Sequence, residues 1–294
     1  MEISLADNMG FCFGVRQAIE RAEAEMRQGR RVVSLGPLVH NAQETARLTA
    51  QGLQVVDDPR AVTSDTVIIR AHGARPEVFA TLSARGLRVV DATCPFVKKS
   101  QRIAQELAQL GCTLILIGHP EHPEIQGILG YIATPAFVIS TPAQVDALPH
   151  GIRPGAIAQT TINSDLVDAV RTRLACRYPD FIMRDTVCVA TRGHQESARQ
   201  LAARVDAVVV IGGRHSSNTN RLAEICRQVC RRTYLVETAD ELTPAVVTAV
   251  AHLGITAGAS TPDWLITRVV ARLQELAGDC APPAVKDARN VTKY

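Results

Sequence analysis

Short runs of aliphatic and β-branched residues alternate along the chain with segments in which apolar residues return every three or four positions. The runs are RVVSLG (31–36), TVIIRAHG (66–73), TLILIGH (113–119), GAIAQTT (155–161), AVVVIGG (207–213) and GITAGAS (254–260). Runs of this kind predict strands buried on both faces, and their alternation with helical periods predicts an α/β fold with largely parallel sheets. Between them, GVRQAIERAEAEM sets Val15, Ala18, Ile19, Ala22 and Met26 on one helical stripe, and SSNTNRLAEICRQV sets Leu222, Ile225, Cys226 and Val229 on another. Asn218 or a serine before it is suited to cap the second of these helices, and Pro262 to take the first position of a helix in STPDWLITRVV.

One stretch, GILGYIATPAFVISTPAQV, carries no charge, but Pro135 and Pro142 interrupt it and Thr, Ser and Gln dilute it. It reads as a buried strand AFVIS between turns, and no membrane span is expected. The 294 residues are enough for one large domain or two to three small ones. A balance of 32 Lys+Arg against 29 Asp+Glu, without a long block of either sign, argues against a nucleic-acid or membrane surface and for a small-molecule partner. The start, MEISLADNMG, lacks the basic and apolar segments of a signal peptide, so a cytoplasmic location is expected, with the eight cysteines as thiols.

Each strand run leads into polar or reactive residues: His40, His72, His122 with Glu124, Thr160 with Thr161, Ser216 to Asn218, and Ser260. In open parallel sheets ligands sit beyond the carboxyl ends of strands, which makes these ends the candidate site. Cys12 in GFCFGV, Cys94 in DATCPF and Cys188 in DTVCVA recur at similar intervals, with two strand runs after each. The spacing predicts three similar α/β units, divided at 1–94, 95–188 and 189–294, that bring one cysteine each to a shared centre. Cys12 precedes a helix and Cys94 stands before Pro95, settings in which helix-terminal charge favours a thiolate. Cys112 and Cys226 read as core residues, while Cys176, Cys230 and Cys280 have no distinctive setting. No closely spaced cysteine pair suggests a zinc ribbon. Three thiolates suit an iron–sulfur cluster with one iron open for chemistry.

The motifs GFCFGV, GPLVHN, RAHG, DATCP, GHPEHPE, QTT, DTVC, SSN and ITAGAS with PDW follow one another across residues 10 to 275. In order and spacing they resemble the IspH or LytB family of 4-hydroxy-3-methylbut-2-enyl diphosphate reductases. The resemblance implies a [4Fe-4S] cluster on Cys12, Cys94 and Cys188, held in a pseudo-threefold trefoil of α/β units. It implies reductive dehydroxylation of an allylic diphosphate to isopentenyl and dimethylallyl diphosphates, with electrons from an external donor such as ferredoxin or flavodoxin. By the same resemblance Glu124 is the proton source, and Thr160 orients the alcohol and relays the proton beside His122. The diphosphate falls to His40, His72, His122, Ser216, Ser217, Asn218 and Ser260, with Asn41 and Gln159 nearby. His119 and Glu121 match no functional position of the family and read as loop groups.

Two departures stand out. Asn41 is followed by AQETARL where the family commonly has apolar residues, and Gly193 and His194 replace an Asn-Arg pair before Gln195. The second bears on cluster potential or donor fit. Two other classes compete: an iron–sulfur sensor or binding protein of the same fold without turnover, and a thiol- or zinc-dependent hydrolase of diphosphates. Glu124 and Thr160 argue against the sensor, and iron and sulfide content separates the hydrolase.

Overall fold

The computed structural model describes residues 1–278. In chain order the elements are β1 (Glu2–Leu5), α1 (Phe13–Arg27), β2 (Val32–Leu35), α2 (Ala42–Ala50), β3 (Gln54–Val56), β4 (Thr66–Ile69), α3 (Pro76–Ala84) and β5 (Arg88–Asp91). There follow α4 (Pro95–Gln109), β6 (Thr113–Ile117), α5 (Pro123–Gly130), β7 (Ala136–Ile139), β8 (Pro154–Ala158), α6 (Ser164–Arg177) and β9 (Ile182–Met183). The last are α7 (Val189–Ala202), β10 (Ala207–Ile211), α8 (Ser217–Val229), β11 (Thr233–Val236), β12 (His252–Ala257) and α9 (Asp263–Ala277).

The strands form three sheets of four, with every pairing parallel, in the orders β3-β2-β4-β5, β7-β6-β8-β9 and β1-β12-β10-β11. Taken in sequence within each sheet, the first two orders are second, first, third, fourth. The last sheet has the same order once the chain's first strand is counted as its fourth member: β1 lies along β12, with Glu2 opposite His252. The six apolar runs of the sequence supply the two central strands of each sheet, and AFVI forms β7.

Two compact units contain these sheets. One comprises residues 13–39 and 45–188; the other comprises 1–12, 40–44 and, among the described residues, 189–278. In the first unit β6 is buried on both faces. Leu114 and Leu116 pack with Ile103, Ala104 and Leu107 of α4 and with Ile125 of α5, while Ile115 and Ile117 pack with Val167, Val170 and Leu174 of α6. In the second unit Val208 and Val210 meet Ala198 of α7 and Leu222 and Cys226 of α8, whereas Val209 and Ile211 meet Leu265, Val269 and Leu273 of α9. Each such side chain contributes about 1.5–3 kcal/mol by leaving water, which is why these strands read as unbroken apolar runs.

Local details depart from the sequence reading at two helix ends. Val229 is the last residue of α8 and is 47% exposed, because the apolar stripe ends one turn earlier at Cys226. Pro262 occupies the cap position of α9 rather than its first turn. Among the described residues no helix is long and apolar enough to cross a membrane.

Candidate active site

The three sheets present functional groups at matching places. Past the first strand of each sheet, at one common offset, stand His40, His122 and Ser216; past the third strand, at another, stand His72, Thr161 and Ser260. Each cysteine singled out by spacing immediately precedes a helix: Cys12 before α1, Cys94 before α4 and Cys188 before α7. Each is anchored in the same manner by its own amide. Cys12 N–H donates to Ala259 O at 3.1 Å, Cys94 N–H to Ala71 O at 3.0 Å and Cys188 N–H to Thr160 O at 3.0 Å, in every case just beyond the third strand of a sheet. All three side chains are partly buried. Cys112, Cys226 and Cys230 are buried, and burial pushes the Cys226 thiol up to about 12, the behaviour of a core residue. Cys176 is exposed. Cys280 lies outside the described residues.

In the first unit the start of α1 abuts Cys94. A Cβ on Gly14 would lie 2.6 Å from Cys94 Sγ, so glycine is what allows the thiol its space. Pro95, at the first position of α4, sacrifices no intrahelical donor there. The stretch GHPEHPEIQG also resolves here. His122 caps α5, its Nδ1 accepting the Glu124 N–H at 3.2 Å, and Pro123 begins the helix. The capped turn carries the Glu124 side chain inward until it is 1% exposed. Thr160 N–H donates to Glu124 Oε1 at 2.7 Å and Thr160 Oγ1 donates to Oε2 at 2.7 Å. Burial pushes the Glu124 carboxyl up to about 7 against the opposing effect of these two hydrogen bonds. The result is a carboxyl that holds a proton near neutrality, coupled to a hydroxyl that can pass it on. His72 and His122 meet edge to face at 5.4 Å between ring centroids. Gln159 donates from Nε2 to Thr161 Oγ1 at 2.8 Å and accepts the His119 N–H at 3.2 Å. The His119 and Glu121 side chains are exposed.

In the second unit Ser216 caps α8, accepting the Thr219 N–H at 3.3 Å. The buried Asn218 amide has no hydrogen-bond partner for either its oxygen or its nitrogen among the described residues. Burying a side-chain amide without partners is costly, so this group calls for a polar ligand at the head of α8. Ser260 Oγ donates to His40 O at 3.2 Å, and a Cβ on Gly213 would come within 2.4 Å of that same carbonyl. His40, Ser216, Asn218 and Ser260 thus belong to one loop cluster, with Ser217 partly buried next to it. Asn41 Oδ1 accepts the Glu44 N–H at 3.0 Å and caps α2, a structural use of that residue. Gly193 faces Asn8 with room for a Cβ, whereas His194 is 5% exposed. Burial holds the His194 imidazole down at about 4, so it is neutral, and its Nδ1 has no hydrogen-bond partner among the described residues.

Sequence reading passed over Gln101. It lies on the buried face of α4, and its Nε2, without a hydrogen-bond partner among the described residues, sits where Gly73 and Gly127 leave space. The signal was an amide at a core position of the 97, 100, 101, 104 stripe.

These features define a protein of three equivalently wound parallel α/β sheets, with a thiol at the head of a helix beside each and histidines, hydroxyls and a buried carboxyl at the strand ends. The chain belongs to the LytB protein family, whose sequence model matches residues 3–274. Two 4-hydroxy-3-methylbut-2-enyl diphosphate reductases illustrate the relationship. That of Geobacter sulfurreducens is 41% identical over 276 residues, covering 94% of this chain and 98% of that protein. That of Clostridioides difficile is 39% identical over 280 residues, covering 94% and 100%. Among solved structures, an (E)-4-hydroxy-3-methyl-but-2-enyl diphosphate reductase described as the terminal enzyme of the non-mevalonate pathway matches with a TM-score of 0.70 at 40% identity, covering 93% of this chain and 99% of that one. The Plasmodium falciparum E-1-hydroxy-2-methyl-but-2-enyl-4-diphosphate reductase matches with a TM-score of 0.88 at 26% identity, covering 93% and 88%.

Proposed function

We propose that this chain is a 4-hydroxy-3-methylbut-2-enyl diphosphate reductase, removing the allylic hydroxyl to give isopentenyl and dimethylallyl diphosphates. The reaction consumes two electrons and two protons per substrate: the C–O bond breaks, a C–H bond forms and water leaves. The observation that carries this reading is the Glu124–Thr160 pair, a carboxyl held near about 7 in a buried setting and hydrogen-bonded to a hydroxyl. A departing hydroxyl needs a proton, and this pair is suited to deliver one.

Cys12, Cys94 and Cys188 would hold a [4Fe-4S] cluster. The donor set fits: three partly buried thiols, each at the positive end of a helix, with Gly14 leaving room at Cys94. When bound, such a cluster supplies one-electron reduction and a Lewis-acidic iron for the alcohol oxygen. The chain's own side chains do the rest. Thr160 Oγ1 donates to Glu124 Oε2 in this structure; with Glu124 protonated and the hydroxyl turned toward the leaving oxygen, Oγ1 accepts the Glu124 proton as it gives up its own, while His122 fixes the turn that carries Glu124. His40, His72, His122, Ser216, Ser217, Asn218 and Ser260 bind the diphosphate, with the head of α8 adding backbone donors. The orphaned Asn218 amide supports that assignment. The reading includes an external electron donor and a cytoplasmic setting, where buried thiols stay reduced. It treats 1–94, 95–188 and 189–294 as three repeats, the fourth strand of the last being provided by residues 2–5.

The test is an anaerobic assay of iron- and sulfide-replete protein with the allylic diphosphate and a low-potential reductant. Both five-carbon diphosphates should appear. Replete protein that turns over no substrate would overturn the reading in favour of a sensor.

A further inference from the structure

Of the two departures from the family pattern, the one after Asn41 puts a carboxyl group inside the protein. Glu44 lies in the first turn of α2 and is 1% exposed. A partner comes from far along the chain: Trp264 Nε1, in the first turn of α9, donates to Glu44 Oε2 at 3.1 Å. An acidic residue in a first helical turn suits the helix dipole, but an exposed one would serve that purpose without the cost of burial. A buried carboxyl group tied across 220 positions of sequence therefore does more than start a helix. What it holds follows from its neighbours. Asn41 Oδ1 accepts the Glu44 N–H at 3.0 Å, which fixes the Glu44 turn to the residue after His40. Ser260 Oγ, four residues before Trp264, donates to His40 O at 3.2 Å. Gly213, for want of a Cβ, lets the same carbonyl approach from the loop after β10. The segment 258–264 thus grips the segment 40–44 at two points, the His40 carbonyl and the Glu44 carboxyl, and both segments belong to the second unit.

We propose that Glu44 and Trp264 are positioning residues of the diphosphate site: their hydrogen bond keeps His40 in register with Ser260, so that both meet one anion. The proposal rests on the reductase reading, which assigns His40 and Ser260 to the diphosphate. Glu44 and Trp264 act through His40 and do not touch the substrate. The diphosphate is unchanged by the reaction, so a contact that only positions its ligands serves the ground state and the transition state alike. Losing such a contact raises KM and leaves kcat in place.

The test combines steady-state kinetics on the holoenzyme, with the allylic diphosphate and a reduced viologen dye, and calorimetric affinity for inorganic pyrophosphate. Wild type is compared with Glu44→Val, Trp264→Phe, the two combined, and Glu44→Gln, whose amide oxygen can still accept the indole N–H. Glu44→Val and Trp264→Phe should each raise KM and the pyrophosphate Kd about tenfold, with kcat within about twofold of wild type. The combined variant should bind no more weakly than either single one, since both remove the same hydrogen bond. Glu44→Gln should bind as wild type does. Unchanged KM and Kd in either single variant would overturn the proposal, as would a loss in Glu44→Gln equal to that in Glu44→Val. Additive losses in the combined variant, or a fall in kcat as large as the rise in KM, would also overturn it, by assigning the two residues to the general stability of the fold. Failure of the reductase reading looks different: wild type would turn over no substrate. The pyrophosphate affinities would then judge the clamp, and a wild type without affinity for pyrophosphate would overturn it.

Discussion

Glu124 offers the most direct check on the proposed chemistry, because its environment fixes both the position and the response of an activity limb. With the carboxyl at about 7, roughly nine tenths of it carries the proton at about pH 6 and roughly one tenth at about pH 8. If Glu124 delivers the proton, kcat/KM for the allylic diphosphate falls by about tenfold for each pH unit above neutrality, since that parameter reports the free enzyme. The structure also says how to move the limb. Thr160 supplies two hydrogen bonds that favour the carboxylate, one from its backbone N–H and one from its hydroxyl. Thr160→Val removes the second and keeps the first. A hydrogen bond to a charged group is worth about 1.5–3 kcal/mol, so the limb should move about one to two pH units toward alkaline values, with the rate itself lowered because the relay is broken. Glu124→Gln should abolish the limb and reduce turnover about a hundredfold to ten-thousandfold. The assay is anaerobic, driven by a viologen dye whose potential does not vary with pH. A profile flat across neutrality in the wild type, or an acid-ward displacement in Thr160→Val, would refute the reasoning.

Replacing Cys12, Cys94 or Cys188 singly by Ser should remove the visible absorption and acid-labile sulfide of the purified protein, whereas Cys112→Ser and Cys226→Ser should keep both; the reverse pattern would dismiss the ligand assignment. Gly14→Ala brings a methyl group to 2.6 Å from Cys94 Sγ, so iron content should drop with the circular dichroism of the fold preserved. His194 is neutral in the folded chain and charged in the unfolded one between about 4 and 6.5, so its stabilising contribution is complete above 6.5 and is lost as pH falls toward 4. The loss amounts to about 3 kcal/mol, and His194→Gln should flatten that part of the chemical-denaturation profile.

What could be read from sequence depended on whether the signal was local. Central strands such as AVVVI and the LILI of β6 announce themselves because burial on both faces leaves no polar position in the run. Their neighbours β3, with three residues, and β9, with two, are too short to show a pattern, and Arg88 and Asp91 dilute β5. The cap at Ser216 and the repeated cysteine contexts are local chemistry and were legible. The pairing of β1 with β12 was not, because parallel register between distant segments leaves no trace in either one. Nor was the state of Glu124. Its residue type and motif were evident, but the raised pKa comes from burial beneath a turn capped by His122, which outweighs the lowering effect of the two hydrogen bonds from Thr160. His194 makes the same point from the other side. The sequence marks it as a substitution for arginine beside Gln195, whereas its neutrality follows from burial.

The placement of β1 also orders events on the ribosome. Residues 13–188 can collapse as soon as they emerge, since both of their sheets are complete by β9. Glu2 to Leu5 must wait for His252 to Ile255 before they find a partner, so the last sheet closes only after β12 has been made. Cys12, whose amide is held by Ala259, takes its anchored position at that same late moment. A polypeptide cut short before β12 and Ala259 would therefore hold neither β1 nor Cys12 in place.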